Sequence, residues 1–494
     1  MTPMKRIIFW VVGVVAVLLV AAYCIAGVLI HRRVDEALQN LPSELRVSYT
    51  HLHSSIFSGS LSLTGLAVRF SKDKRVYEAT IDQVSMDGIR FFALMRTHRL
   101  LLRTLRVSGI KASESESKLL LEGNVELDSV YADVPAGKKA MNGEVKEEMA
   151  AGKMGFGGIR LSVFRLRYRI PDADEILRLS DLTLDSKNKL FRLDTLRLTP
   201  VFEKVKMGAV KGHQVDVVEA TSEGIEAKGL DVVGLWEHRL HADRLTVERN
   251  RIYVFRDRRL PLEPGEKPLP AESLKALPIS LRIGSVSLGT TTFSYEEFPK
   301  KGDKTGTLTI HRLKGSIEPL INKPEAGDPA YLTMRTEGSL MNSGSVTAVT
   351  KIPLHKGDPY RVEGAFHELD VTKLNDPAEN LGKLHLESGM LNSLAFWFEM
   401  TDEKATGKIV GEYHDLVVDK LKENSPDKKV DKLKSFALKK FIIPKDKDRS
   451  LPEKKRTGKV DYKRDPQRYF SYYLLHSLLV GVKSSFSLGF LLPG

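Results

Sequence analysis

The strongest constraint on this chain is a spacing of apolar residues that recurs between residues 61 and 313. Two apolar residues at alternate positions are followed by a gap of two residues and then by a second alternating pair. Alternation with a period of two places both side chains of a pair on one face of a β-strand. The copies lie at residues 61–68, 79–86, 100–107, 177–184, 191–198, 240–247 and 281–288, with a partial copy at 308–313. The pattern therefore predicts a series of β-strands, each with one apolar face.

The two-residue gap inside each copy predicts that these strands bend. In a straight strand the gap would turn the second pair toward the opposite face, whereas a bulge absorbs the extra residue and keeps both pairs on one face. Gly65 and Gly284 lie inside the gap in two copies, where the absence of a side chain makes a bend easiest. Because the distance between copies varies, the chain is not a regular repeat array.

The intervals between the copies contain further strand-like segments and little helical pattern. These segments are residues 125–130, 164–170, 252–255, 291–295, 346–354, 394–398 and 409–418. Turn-forming pairs such as Lys187-Asn188 separate them. Polar segments at 132–158, 257–277 and 420–434 interrupt them, and we interpret these segments as loops or weak linkers. We therefore expect a mainly β fold in which residues 34–460 form one continuous, curved, mostly antiparallel sheet.

Residues 7–30 read IIFWVVGVVAVLLVAAYCIAGVLI and carry no charge. As a helix this run is about 36 Å long, enough to cross a hydrocarbon core of about 30 Å. It is longer than the apolar core of a cleaved signal peptide, and Arg32 and Arg33 follow it directly. Lys5 and Arg6 favour a cytoplasmic N-terminus, although the two following arginines oppose that orientation. We expect residues 1–33 to be an uncleaved membrane anchor, with the bulk of the chain outside the cytoplasm.

The composition is that of a folded protein, with 42% hydrophobic and 28% charged residues. Cys24 is the only cysteine, which excludes intramolecular disulfides and thiolate metal sites. Residues 420–468 contain 18 Lys and Arg against 8 Asp and Glu. No nucleic-acid-binding motif accompanies this basic segment, so we interpret it as a solvated surface or one attracted to anionic lipid, and we expect no nucleic-acid partner.

Residues 466–483 (PQRYFSYYLLHSLLVGVK) read as an amphipathic helix that begins near Pro466. The segment is too short and too polar for a second membrane crossing. Two interpretations stay open: a cap packed on the end of the sheet, or a helix that docks on a membrane interface or a partner protein. We assign residues 461–494 to this C-terminal helix and its apolar tail.

The sequence contains no motif for catalysis, phosphate binding or zinc hydrolysis. His51 and His53 would share one face of a strand, but ordinary surface histidines explain this pair better than a metal site does. Glu296 and Glu297 would face opposite ways and read as surface charges beside a turn. Trp397 lies between two phenylalanines, which favours a strand buried on both faces over an aromatic binding box. We therefore predict no catalytic, cofactor-binding or metal-binding residues, and no enzyme activity.

Four segments resemble the AsmA-like family of bacterial envelope proteins, which includes AsmA and TamB. They are residues 54–68 (SSIFSGSLSLTGLAV), 281–322, 364–418 and the tail 456–490. Within 364–418 the similar positions are Leu374-Asn375 with Pro377, Ser388-Gly389 and Glu412-Tyr413. The resemblance covers nearly the whole chain, but it rests on strand pattern and order and not on one diagnostic motif.

The resemblance implies an inner-membrane anchor, a periplasmic body and a sheet curled into an elongated trough with an apolar interior. It also implies a lipid-binding or lipid-transfer protein that supports outer-membrane lipid homeostasis. A trough lined by aliphatic side chains could hold acyl chains at about 0.8 kcal/mol per buried CH₂. Its lining residues cannot be assigned from the sequence, because each bend makes the facing of the residues uncertain. The alternative is a structural or assembly factor for outer-membrane proteins that binds partners through strand edges. Expected partners are membrane lipids, the inner membrane and an envelope protein at the C-terminal helix.

Overall fold

The computed structural model describes residues 45–55, 57–72, 75–90, 93, 96–97, 99–114, 118–133, 154–170, 173–422, 429–437 and 444–485. The predicted membrane anchor at residues 7–30 lies outside these residues. None of the helices in the described ranges is long and apolar enough to cross a membrane. The chain divides into two compact units, unit 1 with residues 1–173 and 177–194, and unit 2 with residues 174–176 and 195–494.

Unit 1 is built from antiparallel strands. They are β1 (Leu45–Ser48), β2 (His51–Ser55), β3 (Ser60–Lys72), β4 (Arg75–Asp87), β5 (Arg99–Glu114), β6 (Leu119–Asp133), β7 (Met154–Gly155) and β8 (Gly158–Ile170). Both β1 and β2 pair with β3, and the order then runs β3, β4, β5, β6, β8. The strands β9 (Glu175–Asp185) and β10 (Leu190–Pro200) follow, and the division between the units falls within them.

The first three copies of the apolar spacing form bent strands with one apolar face, as predicted. All four apolar residues of the first copy, from Leu61 to Val68, are at most 7% exposed. Those of the second and third copies are at most 4% exposed. The bend of β3 occurs at Gly65, whose φ is +61° and which the pairing register with β4 skips. A Cβ atom at Gly65 would lie 2.3 Å from Thr50 Oγ1, so both the backbone conformation and the space require glycine here.

Unit 2 contains a mixed sheet and several short helices. Its strands are β11 (Asp216–Lys228), β12 (Arg239–Asp257), β13 (Ser280–Phe298), β14 (Gly306–Glu318), β15 (Leu320–Ile321), β16 (Tyr331–Leu340), β17 (Gly344–Pro353), β18 (Tyr360–Asp370), β19 (Leu384–Met400), β20 (Lys404–Lys420) and β21 (Thr457–Lys463). Its α-helices are α1 (Lys204–Lys211), α2 (Val232–Trp236), α3 (Pro270–Lys275), α4 (Asn375–Gly382), α5 (Lys432–Ala437), α6 (Glu453–Arg456) and α7 (Phe470–Ser485). The predicted mainly β fold is therefore confirmed, while α1 to α6 were not predicted.

Neighbouring strands of unit 2 are antiparallel except for β12 and β13, which run parallel over seventeen Cα pairs from Arg239↔Ser280 to Asp257↔Phe298. The bends of the two strands coincide, because the register skips Asp243 together with Gly284. A Cβ atom at Gly284 would lie 2.7 Å from the carbonyl oxygen of Asp243. Close approach of the backbones, and not a positive φ, therefore explains this second predicted glycine.

The face of this sheet that carries the apolar pairs is called the inner face below, and the opposite one the outer face. Phe396 and Ile409 lie on the inner face of β19 and β20, and they are 3% and 0% exposed. The connection from β12 to β13 crosses this face: Ala271 of α3 packs in the same core, and its backbone N–H donates to the Tyr360 hydroxyl (2.9 Å). The polar segment 257–277 is therefore not a loose linker, since part of it is packed into unit 2.

The predicted C-terminal helix is present as α7, which begins at Phe470 and not near Pro466. It packs across the inner face of β20 and β21. Tyr473, Ser477, Gly481 and Ser485 form its buried side, so mostly small residues, and not the larger apolar ones, bring the helix close to the sheet. A Cβ atom at Gly481 would lie 2.5 Å from Ile409 Cδ1. This packing agrees with the cap interpretation of the segment.

Candidate functional site

One part of the inner face of unit 2 carries large apolar side chains that are only partly covered. Leu288 on β13 is 38% exposed. Its partner on β12 is Val247, which pairs in turn with Ile225 on β11, and both are half-buried. Leu245 and Leu313 extend the surface on β12 and β14, again half-buried. These five residues, called the apolar patch below, form an apolar surface that solvent reaches.

The structure distinguishes this patch from the first three copies of the spacing, all in unit 1. There the apolar residues are almost completely buried, for example Val84 at 0% and Leu105 at 1% exposure, whereas those of the copy at 177–184 are half-buried. The same spacing in unit 2 leaves Leu288 exposed. The spacing alone therefore does not decide which apolar residues are available to a ligand.

At the far ends of β12 and β13 the inner face becomes ionic. Arg256 is 5% exposed and donates from Nε and an Nη to the two carboxylate oxygens of Asp216, at 2.7 and 2.6 Å. Arg258 donates to Glu297 (2.9 Å), and the Tyr295 hydroxyl donates to the other oxygen of Glu297 (2.7 Å). These five residues, Asp216, Arg256, Arg258, Tyr295 and Glu297, are called the inner ion cluster below. Each charge in it has an opposite charge beside it, as burial requires.

Burial and ion pairing shift the pKa values of the arginines of this cluster in opposite directions. Burial alone would lower the pKa of Arg256, but the Asp216 carboxylate outweighs it and raises that pKa. The pKa of Arg258 is likewise lowered by burial and raised more strongly by Glu297. Burial, and then the charge of Glu297, raises the pKa of Tyr295. Both arginines therefore stay charged at neutral pH, and Tyr295 stays protonated and donates its hydrogen bond to Glu297.

The segment that leads into α7 closes over the inner ion cluster. The Tyr469 ring lies 5.3 Å from both the Arg256 guanidinium carbon and Lys267 Nζ. Arg468 donates to the side-chain oxygen of Gln214 (3.3 Å), and Arg464 donates to the backbone oxygen of Lys267 (2.6 Å). These contacts hold the segment before α7 against the end of β12, the β12–β13 connection and the residue Gln214 that precedes β11.

His476 lies in the second turn of α7, beside the rings of Tyr472 and Tyr462, at centroid distances of 3.8 and 5.8 Å. Burial first, and then the positive charges of Arg258, Lys483 and Arg468, lower the pKa of His476 to about 4. The imidazole is therefore neutral at physiological pH and packs as an aromatic ring.

Glu296 and Glu297 do face opposite sides of β13, but the prediction that they are surface charges is wrong. Glu297 belongs to the inner ion cluster and is 7% exposed. On the outer face, Lys204 of α1 donates to Glu296 (2.7 Å) and to the Tyr253 hydroxyl (3.0 Å), and the Tyr253 hydroxyl donates to Glu296. One adjacent pair of glutamates thus serves two ionic networks on opposite faces of one strand.

The other sequence-based candidates lie apart from the inner face. His51 and His53 are both exposed on β2, and no group of three His, Cys, Asp or Glu within the described ranges is arranged to hold a metal ion. Trp397 is 42% exposed, while Phe396 and Phe398 are buried. The expectation that this segment is buried on both faces is therefore wrong.

The inner ion cluster was not identified from the sequence, because no pattern joins its residues along the chain. One signal for a buried charge is nevertheless present in the sequence. Arg256 continues the alternation of Ile252 and Val254, so a strand of period two places it on the same face as these apolar residues. An arginine in that position predicts a buried carboxylate partner, although not that the partner is Asp216.

The arrangement on the inner face is suited to binding an apolar ligand. The inner face presents aliphatic side chains that solvent reaches, and it ends at fully paired charges. Comparison with models of known protein families gives no match, and neither does comparison with curated protein sequences. The resemblance to AsmA-like proteins therefore stays a prediction.

Proposed function

We propose that this protein binds the acyl chains of membrane lipids on the apolar patch of unit 2 and acts in lipid transfer or lipid homeostasis in a bacterial envelope. The observation that supports this proposal is the exposure of Leu288, at 38%, among half-buried aliphatic neighbours on the inner face. Monomeric proteins normally bury such contiguous apolar surface or use it to bind something.

The energetics favour an acyl chain as the occupant. Each CH₂ group that leaves water contributes about 0.8 kcal/mol, so a chain lying across several strands gains several kcal/mol without any directed hydrogen bond. The patch offers side chains of Leu, Ile and Val, which present no polar group that an acyl chain would leave unsatisfied. A polar ligand would gain little there.

The proposal includes the predicted location. Residues 1–33 would hold the chain in the inner membrane, and the two units would lie in the periplasm as in AsmA-like proteins. Leu475 and Leu479 are 41% and 38% exposed and lie four residues apart on α7, hence on one side of the helix. An envelope protein would dock on this side, while the opposite side of α7 stays packed on the sheet.

Site-specific crosslinking tests the proposal. A photoreactive amino acid at Leu288, on the inner face, is compared with the same substitution at Ser287, the exposed neighbour that points to the outer face. After irradiation of cells or of membranes with the full-length protein, we expect lipid adducts at position 288 and few at position 287. Mass spectrometry of the purified crosslinked protein identifies the adduct.

Three results would contradict lipid binding on this patch. Equal amounts of lipid adduct at both positions would show that both faces of the sheet contact the bilayer, and not that the apolar patch binds lipid. No adduct at either position would show that the patch is not occupied. A protein adduct at position 288 would favour the alternative, an assembly factor for outer-membrane proteins.

A further inference from the structure

The outer face of unit 2 carries a second feature, which lipid binding does not use. Strands β17 to β20 form an open concavity of about 380 Å³ around Trp397, within the range of about 300–1,000 Å³ that is usual for small-molecule sites. Charged and polar side chains surround the indole. The lining includes Val349, Arg361, Glu363, Glu399, Thr406 and Lys408.

Packing does not explain why a tryptophan stands here. Its neighbours Phe396 and Phe398 fill the core on the inner face, with 3% and 4% exposure, whereas Trp397 remains 42% exposed on the outer face. Serine, threonine or lysine would satisfy an outward strand position without exposing an aromatic ring. An exposed indole in a concave surface is, in contrast, a common way to bind a flat ligand surface.

The side chains around Trp397 are set by cross-strand pairing. Glu363 of β18 and Lys408 of β20 are its direct partners, and Lys408 Nζ lies 5.2 Å from the indole centroid. In the next row Arg361 donates to Glu399 (3.0 Å). The indole is therefore surrounded by hydrogen-bond donors and acceptors of both charge signs, held by the sheet register and not by a mobile loop.

This mixture of groups selects among ligand classes. A phosphate or another compact anion would meet Glu363 and Glu399 as well as the cations. An apolar peptide or an acyl chain would cover these charged groups without offering them any hydrogen bond. A pyranose ring satisfies both features, because its C–H face stacks on an aromatic ring while its hydroxyl groups extend sideways, where carboxylates accept and cationic side chains donate hydrogen bonds.

We propose that the concavity around Trp397 binds a saccharide unit of a glycan, with the indole as the stacking platform and Arg361, Glu363, Glu399 and Lys408 as hydrogen-bonding groups. The site is separate from the apolar patch, since it lies on the opposite face of the sheet. A protein with both sites could hold a lipid on one face and a glycan on the other.

The test uses the purified full-length protein and a panel of soluble tetrasaccharides of glucose, N-acetylglucosamine and uronic acid. Isothermal titration calorimetry measures binding, and tryptophan fluorescence follows it independently. We expect at least one tetrasaccharide to bind with a Kd of about 1 mM or lower. Trp397→Ala should weaken that binding at least about tenfold, equivalent to about 1.4 kcal/mol, and Glu363→Gln should weaken it by a smaller factor.

Leu288→Glu on the inner face serves as the matched control and should leave saccharide binding unchanged. If Trp397→Ala does not fold, as judged by circular dichroism, Glu363→Gln and Lys408→Met decide the question. The proposal is overturned if no tetrasaccharide binds, or if binding survives in every folded variant. It is also overturned if vesicles of phosphatidylglycerol and phosphatidylethanolamine bind through Trp397 while the saccharides do not, because the surface would then be a membrane contact.

Discussion

Arg256 and Asp216 form a two-point ion pair, at 2.7 and 2.6 Å, at the end of the inner face where charged residues replace the aliphatic ones. The pair joins β11 to β12, whose register places the two residues directly opposite each other. Arg256 is 5% exposed, so water has little access to the guanidinium, while the Asp216 side chain is 28% exposed. Breaking such a pair from one side leaves a buried charge uncompensated, which costs far more than the pair itself contributes.

Replacing Arg256 by alanine should therefore lower the free energy of unfolding of unit 2 by about 3–5 kcal/mol. Urea unfolding followed by tryptophan fluorescence measures this loss of stability, because Trp236 and Trp397 both belong to unit 2 and report on its unfolding. The control is Arg249→Ala, whose partner Glu223 lies 2.8 Å away in an exposed pair and which should cost at most about 1 kcal/mol. Equal effects of the two substitutions would show that burial of the Arg256 pair has no energetic consequence.

Unit 2 should lose stability as the pH falls, partly through His476. Its pKa is about 4 in the folded protein, lowered by burial and then by Arg258, Lys483 and Arg468, against about 6.5 in the unfolded chain. The unfolded state thus binds a proton first, so this contribution is complete above about pH 6.5 and disappears as the pH falls toward 4. His476→Gln should reduce the difference between the urea midpoints at pH 7.5 and pH 5. The control is His355→Gln, at an exposed histidine, and an unaltered difference in His476→Gln would contradict the assignment.

Gly65→Ala should destabilise unit 1, for two separable reasons. A φ of +61° is unfavourable for alanine, and the new Cβ atom would lie 2.3 Å from Thr50 Oγ1 and 3.0 Å from Thr50 Cβ. We expect a loss of about 1–3 kcal/mol, seen as a lower midpoint in thermal unfolding followed by circular dichroism. The double substitution Thr50→Gly with Gly65→Ala removes the steric part, so it should cost less than the sum of the two single changes. Strict additivity would show that no contact forms between the two positions.

Gly481→Ala should destabilise unit 2 although alanine is the better helix former by about 1 kcal/mol. The new methyl group would meet Ile409 Cδ1 at 2.5 Å and Val460 Cγ2 at 2.8 Å, and both residues are fully buried. Ile409→Val removes the nearest atom and should partly restore the urea midpoint of Gly481→Ala. Leu475→Ala, on the exposed side of α7, should change the midpoint little. A more stable Gly481→Ala variant would show that α7 is not packed on β20.

Deletion of residues 466–494 would remove more than a docking element. Tyr473 is 1% exposed and Ser477 0%, and both cover core residues of β20 and β21. We therefore expect the truncated protein to unfold at a lower urea concentration than the full-length chain. Exposed substitutions such as Leu475→Gln are the better way to test partner docking, because they leave the packed side intact.

The amino-acid sequence by itself determined many of the strands and the bends within them, although β11, β16 and β18 were not among the predicted segments. Period-two alternation depends only on local geometry, and a two-residue gap forces a bulge wherever both apolar pairs share a face, as at Gly65. Arg312 shows the same rule without glycine, since it lies in the gap of the partial copy and has a φ of +49°. These features follow from residues that are close in the chain.

Only the tertiary structure decided which apolar residues are covered and how the charges pair. Leu105 and Leu288 obey the same spacing, yet one is 1% and the other 38% exposed, because exposure depends on what another part of the chain places over the strand. Asp216 and Arg256 are forty residues apart, and nothing local indicates that they meet. Trp397 faces outward because its neighbours Phe396 and Phe398 pack in the core and side chains alternate along β19. The periodicity of the sequence shows that Trp397 and the two phenylalanines lie on opposite faces, but it does not show which face is buried.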